Sequence, residues 1–266
     1  MMLCCGAMTR QTILVTGGAT RIGARIVRYF AARDWHVVIH YRSSGEAAEK
    51  LAAELPSART VCCDLADDDA RGAMMRDLAG ELKDWRCLVN SASVFRYDDA
   101  TRLDAEIYHE AMEVNAFAPT VIAQDYFACA QSDGLRCVIQ VTDMKLENTN
   151  PDFASYTMSK HALAASIPML AMQRHADGLD ADRVYGIAPG AILPSHDQNP
   201  EETETSHRLN LLKRKTGPDE IAQAAGFLAT GSLKSGSTLF IDSGQHLLSQ
   251  DRDVIWLARN KERSSQ

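Results

Sequence analysis

The run Thr12-Ile13-Leu14-Val15-Thr16 leads directly into Gly17-Gly18-Ala19-Thr20-Arg21-Ile22-Gly23, and an amphipathic stretch from Ala24 to Arg33 follows. An apolar and β-branched run of this length, bounded by a turn, reads as a strand buried on both faces, the habit of a parallel sheet. The glycines permit a tight turn and close backbone approach to a pyrophosphate. That anion then rests over the helix N-terminus, where unpaired N–H groups favour negative charge. Strand, glycine turn and helix in this order describe a dinucleotide-binding start to an α/β chain, with Gly17 and Gly23 as its anchors. Taken alone the segment also fits a plain glycine turn; a second, distant signal decides between them.

That signal is Ser155-Tyr156-Thr157-Met158-Ser159-Lys160-His161, whose Tyr-x-x-x-Lys spacing puts a phenol and an ammonium on one helix face. A tyrosine with an ordinary pKa of ~10 serves as an acid/base at neutral pH if its phenolate is stabilised by roughly 4 kcal/mol, about three pKa units. A cation one turn away is the expected source. Between and beyond these motifs, strand-like runs near 11–16, 36–41, 58–62, 86–90, 135–142, 182–188 and 238–242 alternate with helical stretches, the rhythm of a parallel βαβ sheet. No repeats interrupt it. The 266 residues, 45% of them hydrophobic, suffice for one such domain with a sizeable core.

From residue 11 to about 248 the chain resembles the short-chain dehydrogenase/reductase family, whose pattern is a TGxxxGxG turn and a distant YxxxK. Asp64-Leu65, Asn90-Ser91-Ala92-Ser93, Asn115 and Pro189-Gly190 stand where that family has motifs, with Ser91 in place of a second asparagine. The resemblance implies a single-domain Rossmann-type α/β fold, a doubly wound parallel sheet of about seven strands flanked by helices. It implies that Asp64 contacts adenine, Asn90 shapes the cofactor cleft, Asn115 supports a proton-relay water and Lys160 binds the nicotinamide ribose. It also implies a homotetramer. The expected cofactor set is Gly17, Thr20, Arg21, Ile22, Gly23, Tyr41, Arg42, Ser43, Asp64, Leu65, Asn90, Ser91, Ala92, Lys160, Pro189 and Gly190.

Two departures narrow the reading. Arg21 replaces the usual middle glycine of the turn, where its side chain can reach phosphate. Thirteen residues before Tyr156, where the family places a serine for a substrate carbonyl, the chain has Asp143 within Val141-Thr142-Asp143-Met144. An ionised carboxylate is a poor carbonyl-polarising donor but a good partner for amidine-like N–H groups or a ring nitrogen awaiting a proton. The combination looks like the pteridine reductase branch and is similar to bacterial dihydromonapterin reductases. It implies catalytic roles for Asp143, Tyr156, Lys160 and Asn115, with Arg21, Ser93, Phe95, Asp143 and Tyr156 facing a pterin. Phe95 is expected to stack on that ring, an ordinary core-packed loop aromatic being the alternative.

Cofactor choice is legible after Val37-Val38-Ile39-His40-Tyr41, because an acid there accepts from the 2'-hydroxyl of NAD whereas an arginine accommodates a 2'-phosphate. The chain has Arg42 with Ser43 and Ser44 and no acid, which points to NADPH. Lys160 would lower the Tyr156 pKa while the Tyr156 and Asp143 side chains handle the proton that accompanies hydride transfer. A general carbonyl reductase of 3-oxoacyl or sugar substrates, with Thr142 supplying the hydroxyl, is the enzymatic alternative. A non-catalytic NADP(H)-binding sensor is the other.

A net charge of −7 argues against nucleic acid or an anionic membrane as partner, and Lys213-Arg214-Lys215 reads as a solvated helix end before Gly217-Pro218. The apolar stretches are strand-sized, and residues 1–10 read as an extension without the apolar core of a signal peptide, so a cytoplasmic protein is expected, with Met8 as a second candidate start. Seven cysteines, Cys4, Cys5, Cys62, Cys63, Cys87, Cys129 and Cys137, form no C-x-x-C pair and fit free thiols in a reducing compartment. His36 and His40 lie four apart along a strand, ~13 Å, too far to share an ion, and no metal is expected. Residues 191–210, with Pro194, Pro200 and the acidic run Glu201-Glu202-Thr203-Glu204, read as an irregular substrate lid or a surface insertion, with regular sequence from Leu209. The tail 249–266, apolar only at Val254-Ile255-Trp256-Leu257, either packs on a neighbouring subunit or is partly disordered.

Overall fold

A computed structural model describes residues 10–195 and 198–264, with side chains described as far as Arg259. Most of the N-terminal extension, with Met8, Cys4 and Cys5, lies outside the described residues. The strands are β1 (Thr12–Thr16), β2 (His36–Tyr41), β3 (Ala58–Cys62), β4 (Trp85–Asn90), β5 (Arg136–Val141), β6 (Asp182–Pro189) and β7 (Thr238–Ile241). All pair in parallel in the order β3-β2-β1-β4-β5-β6-β7. The helices are α1 (Arg21–Ala31), α2 (Gly45–Ala53), α3 (Asp68–Glu81), α4 (Ala105–Met112), α5 (Ala118–Cys129), α6 (Ala154–Ala176), α7 (Pro200–Ser206), α8 (Pro218–Leu228) and α9 (Val254–Ser264).

Strand periodicity decides which helix layer each apolar side chain meets. Ile13, Val15, Val37, Ile39, Ile139 and Ile187 face one core with Ile26, Val27 and Phe30 of α1, Leu51 of α2 and Ile221, Ala225 and Leu228 of α8. The alternate residues Leu14, Val38, Leu88, Val138 and Val184 face a second core with Met75 and Leu78 of α3, Ile122 and Tyr126 of α5 and Ile167 of α6. Both faces are thus covered, as the unbroken apolar strands require. The chain runs outward from β1 to β3, then returns to β4 beside β1 and runs the other way. That reversal leaves a crevice beyond the carboxyl ends of β1 and β4, where open α/β sheets bind ligands.

Three regions depart from the sequence reading. Segment 191–210 is not irregular throughout: its acidic run lies in α7, begun by a capping box in which Asn199 accepts from the Glu202 backbone and Glu202 from the Asn199 backbone. Regularity does not resume at Leu209 but at Pro218. Lys213-Arg214-Lys215 therefore occupies a turn rather than a helix end, with Lys213 at φ 53° and Arg214 and Lys215 paired to Glu220 and Glu204. The tail is folded onto its own chain: α9 packs against α7, and Ile255 joins Phe153 and Tyr156 in a small apolar cluster. Among the described residues, no helix is long and apolar enough to cross a membrane, and no group of three His, Cys, Asp or Glu side chains could hold a metal ion.

Candidate active site

A cavity of about 350 Å³ opens at the crevice, with a second lobe of about 150 Å³ sharing Gly17, Thr20, Ala92 and Ser93 with it. The larger lobe is bounded by Arg21, Ile22 and Gly23, by Ser91, by Pro189 and Gly190, and by Asp143, Tyr156 and Lys160. The second is bounded by His40, Tyr41, Arg42, Ser43, Ser44, Asp64 and Leu65. Every residue expected to touch cofactor lines one lobe or the other except Asn90. That side chain lies beneath the cleft, donating to Pro119 O and Gln140 Oε1 at 3.0 Å.

The turn fits a pyrophosphate because its backbone is compact. Gly17 has φ 62°, a left-handed conformation natural to glycine, and a Cβ there would come within 2.8 Å of Ala92 Cα. A Cβ at Gly23 would run into the Gly17 carbonyl oxygen. Thr16 Oγ1 accepts from the Ser91 and Ala92 backbones at 3.0 and 3.1 Å, tying the β1 and β4 ends together. His40 Nδ1 accepts from Gly17 N–H at 3.2 Å and its Nε2 meets Cys63 O at 3.0 Å. Burial lowers its pKa to about 4, so the ring stays neutral and can serve both partners. Arg21 also has a left-handed φ, 51°, where the family's glycine would be unstrained, and its Nη1 donates to Pro194 O at 3.1 Å across the cleft.

At the chemical end, Tyr156 Oη donates to Asp143 Oδ2 at 2.7 Å, and Asp143 Oδ1 accepts from Lys145 N–H at 2.9 Å. Lys160 Nζ donates to Val141 O at 2.8 Å and lies 5.6 Å from the Tyr156 ring centre. Burial raises the Asp143 pKa, against the Lys145 N–H and charge that lower it. Burial also lowers Lys160 to about 8. Burial and then the Asp143 carboxylate push Tyr156 well above its ordinary value, the reverse of the lowering by Lys160 expected from sequence. The nearest strong partner of the phenol is the Asp143 carboxyl group, and the ammonium is engaged with a carbonyl.

Asn115 sits in a π-helical turn, Glu113–Phe117, between α4 and α5, a local widening that is frequent at functional sites. Its amide is saturated: Nδ2 donates to Val94 O and Ser159 Oγ, and Oδ1 accepts from Ser93 Oγ and Val94 N–H. The side chain therefore braces the Ser93 loop and α6. Phe95, 43% exposed, stacks on Phe153 at 4.2 Å and meets the Tyr156 ring edge-on at 4.7 Å. Phe153 caps α6 at φ 54°, ψ 50°, a strained conformation of order 1–3 kcal/mol for a non-glycine residue. The Asp98 carbonyl holds its N–H at 2.9 Å, and Tyr97 packs its edge against the ring.

Sequence reasoning missed Lys145, His207, Gln245 and the tail residues Asp253, Val254 and Ile255, all of which line the larger lobe. The apolar patch Val254–Leu257 was the available signal for the tail.

A doubly wound parallel sheet, a glycine turn at its reversal point and a Tyr/Lys pair at the mouth define the class of dinucleotide-dependent oxidoreductases. A family model described as enoyl-(acyl carrier protein) reductase matches residues 17–246, and the chain belongs to this family, the short-chain dehydrogenases/reductases. It is similar to the crystal structure of FolM alternative dihydrofolate reductase 1 from Brucella canis complexed with NADP. That likeness has a TM-score of 0.83 and 31% identity, over 91% of this chain and 96% of that one. It is 29% identical to 3beta-hydroxysteroid dehydrogenase 1 of Eggerthella lenta, over 89% of this chain and 94% of that protein. It is 23% identical to dihydromonapterin reductase of Citrobacter koseri, over 88% and 96% respectively.

Proposed function

We propose that this protein is an NADPH-dependent reductase of pterin-type substrates, dihydropterins foremost. The observation that carries the reading is the Tyr156–Asp143 hydrogen bond at the cavity wall, a buried phenol donating to a carboxylate where a carbonyl reductase has a hydroxyl. The dihydrofolate-reductase and dihydromonapterin-reductase relatives support it. The dinucleotide fits the two lobes: the compact Gly17 turn for its pyrophosphate, and Arg42, Ser43 and Ser44 without an acid for a 2'-phosphate. When bound it supplies the hydride. Lys160, on the wall of the larger lobe, is the residue given to the nicotinamide ribose. Its ammonium orients that sugar and anchors the β5 end through Val141 O.

Tyr156 and Asp143 share one acidic hydrogen in a buried setting that disfavours either anion. A ring nitrogen brought between them can take that proton from Tyr156 Oη, with Asp143 then accepting an exocyclic N–H. Phe95 offers the pterin an aromatic face, Ser93 a polar contact beside it, and Arg21, tethered to Pro194, closes the segment that carries the α7 lid. The homotetramer stays with the proposal, with Met169 and Met172 of α6, 67% and 72% exposed, as candidate subunit contacts.

The carbonyl-reductase reading needs Thr142 as donor, but Thr142 Oγ1 already donates to Ile187 O at 3.0 Å, turned into the sheet. Asp143→Ser tests the choice. Turnover of a dihydropterin is expected to fall about 100-fold or more, with that of a simple ketone held or raised, both followed by loss of NADPH absorbance. Equal losses on the two substrates would contradict the assignment.

A further inference from the structure

The carboxy-terminal segment is fastened to the site by charges far apart in the chain. Asp152, 1% exposed, accepts Arg252 Nε and Nη2 at 2.8 and 2.7 Å and Asp253 N–H at 2.8 Å. Asp253 Oδ1 accepts from Ile255 N–H at 3.0 Å, starting α9, while Oδ2 pairs with Lys145 Nζ at 2.8 Å. Lys145 is 3% exposed, and its Nζ also donates to Asp152 O at 2.9 Å and to Asn150 Oδ1 at 3.3 Å. All three ammonium donors are thus assigned. The backbone N–H of the same lysine is the one that holds Asp143 Oδ1. A continuous path of polar contacts runs from the tail carboxylate through Lys145 and Asp143 to the Tyr156 hydroxyl. Asp253, Val254 and Ile255 meanwhile form the cavity wall beside that pair.

We propose that Asp253 is a positioning residue for the proton-handling pair: by holding Lys145 it fixes the turn that presents Asp143, and it makes the carboxy-terminal segment a working wall of the substrate pocket. The proposal rests on the pterin reading only for the choice of substrate. The charged and titratable groups facing Asp143 are Lys145 on its own turn and Tyr156 and Lys160 from α6, while Asp253 from the tail reaches it through its ion pair with Lys145. Asp253 also raises Tyr156 through its charge. Removing the Asp253 charge leaves the Lys145 ammonium unbalanced, which favours the Asp143 carboxylate. Removing both charges abolishes that pull and favours its neutral form.

The test compares Asp253→Asn, Asp253→Glu and the double variant Lys145→Met/Asp253→Leu. The double variant leaves no unpaired buried charge to compromise folding. Dihydropterin kcat and kcat/KM are measured against pH, beside NADPH affinity by fluorescence titration. Asp253→Asn is expected to lose about 10- to 100-fold in kcat with NADPH affinity unchanged. Its acid limb should move to lower pH, that of the double variant to higher pH, and Asp253→Glu should restore the wild-type profile. Unmoved profiles, or NADPH affinity and turnover lost together, would overturn the proposal in favour of a purely structural tether. Wild-type enzyme inactive on dihydropterins sinks the functional reading alone, and the variants are then compared on whichever carbonyl compound is turned over.

Discussion

Tyr156→Phe is expected to lower kcat by about 1,000-fold or more while leaving NADPH affinity close to that of the wild type. The substitution keeps the ring that packs with Phe153 and Ile255 and removes the one hydroxyl that Asp143 Oδ2 accepts from at 2.7 Å. Lys160 keeps its bond to Val141 O, so the group assigned to the ribose is undisturbed. Asp143 without its donor becomes harder to ionise, so Asp143 cannot replace the lost acid with an unchanged profile. Steady-state kinetics with NADPH titration read both quantities, and a variant with wild-type turnover would contradict the role given to the phenol. In the wild type, kcat/KM is expected to fall as pH rises through about 8, because Lys160, depressed by burial, loses its proton there. The ammonium is the working form, so the loss lies on the alkaline side.

Gly23→Ala is expected to abolish NADPH binding and to destabilise the fold by about 1–3 kcal/mol. The added Cβ meets the Gly17 carbonyl oxygen and lies 3.0 Å from Gly18 Cα, so only movement of the glycine turn itself relieves it. Helix α1 would be displaced with the turn, and its buried Ile26, Val27 and Phe30 with it. Thermal unfolding with and without NADPH measures both effects, since a ligand that binds only the folded state raises the midpoint in proportion to its affinity. A variant with the wild-type midpoint shift would show that the cofactor does not rest on this turn.

The sheet and the cleft were legible because their causes are local. Strands covered on both faces read as apolar runs, and the glycines mark the turn between the first strand and its helix. Helix α7 was hidden because it is short, polar and opened by Pro200. Its one local sign was the Asn199/Glu202 pairing, lost among acidic neighbours. The tail could not be read, since Asp152 meets Arg252 and Asp253 about a hundred residues away and no periodicity encodes such a pairing. The direction of the Tyr156 shift was misread for a related reason. Helical spacing brings Lys160 near, but only the folded β5 end puts Asp143 nearer still.

The most direct test of the account is NADPH oxidation by the wild-type protein with dihydrobiopterin, dihydromonapterin and dihydrofolate, beside acetoacetyl and sugar substrates at matched concentrations. Turnover confined to the pterin compounds is the predicted result. Turnover confined to the carbonyl compounds would contradict it and would make Asp143 an incidental replacement at an ordinary carbonyl-reducing site.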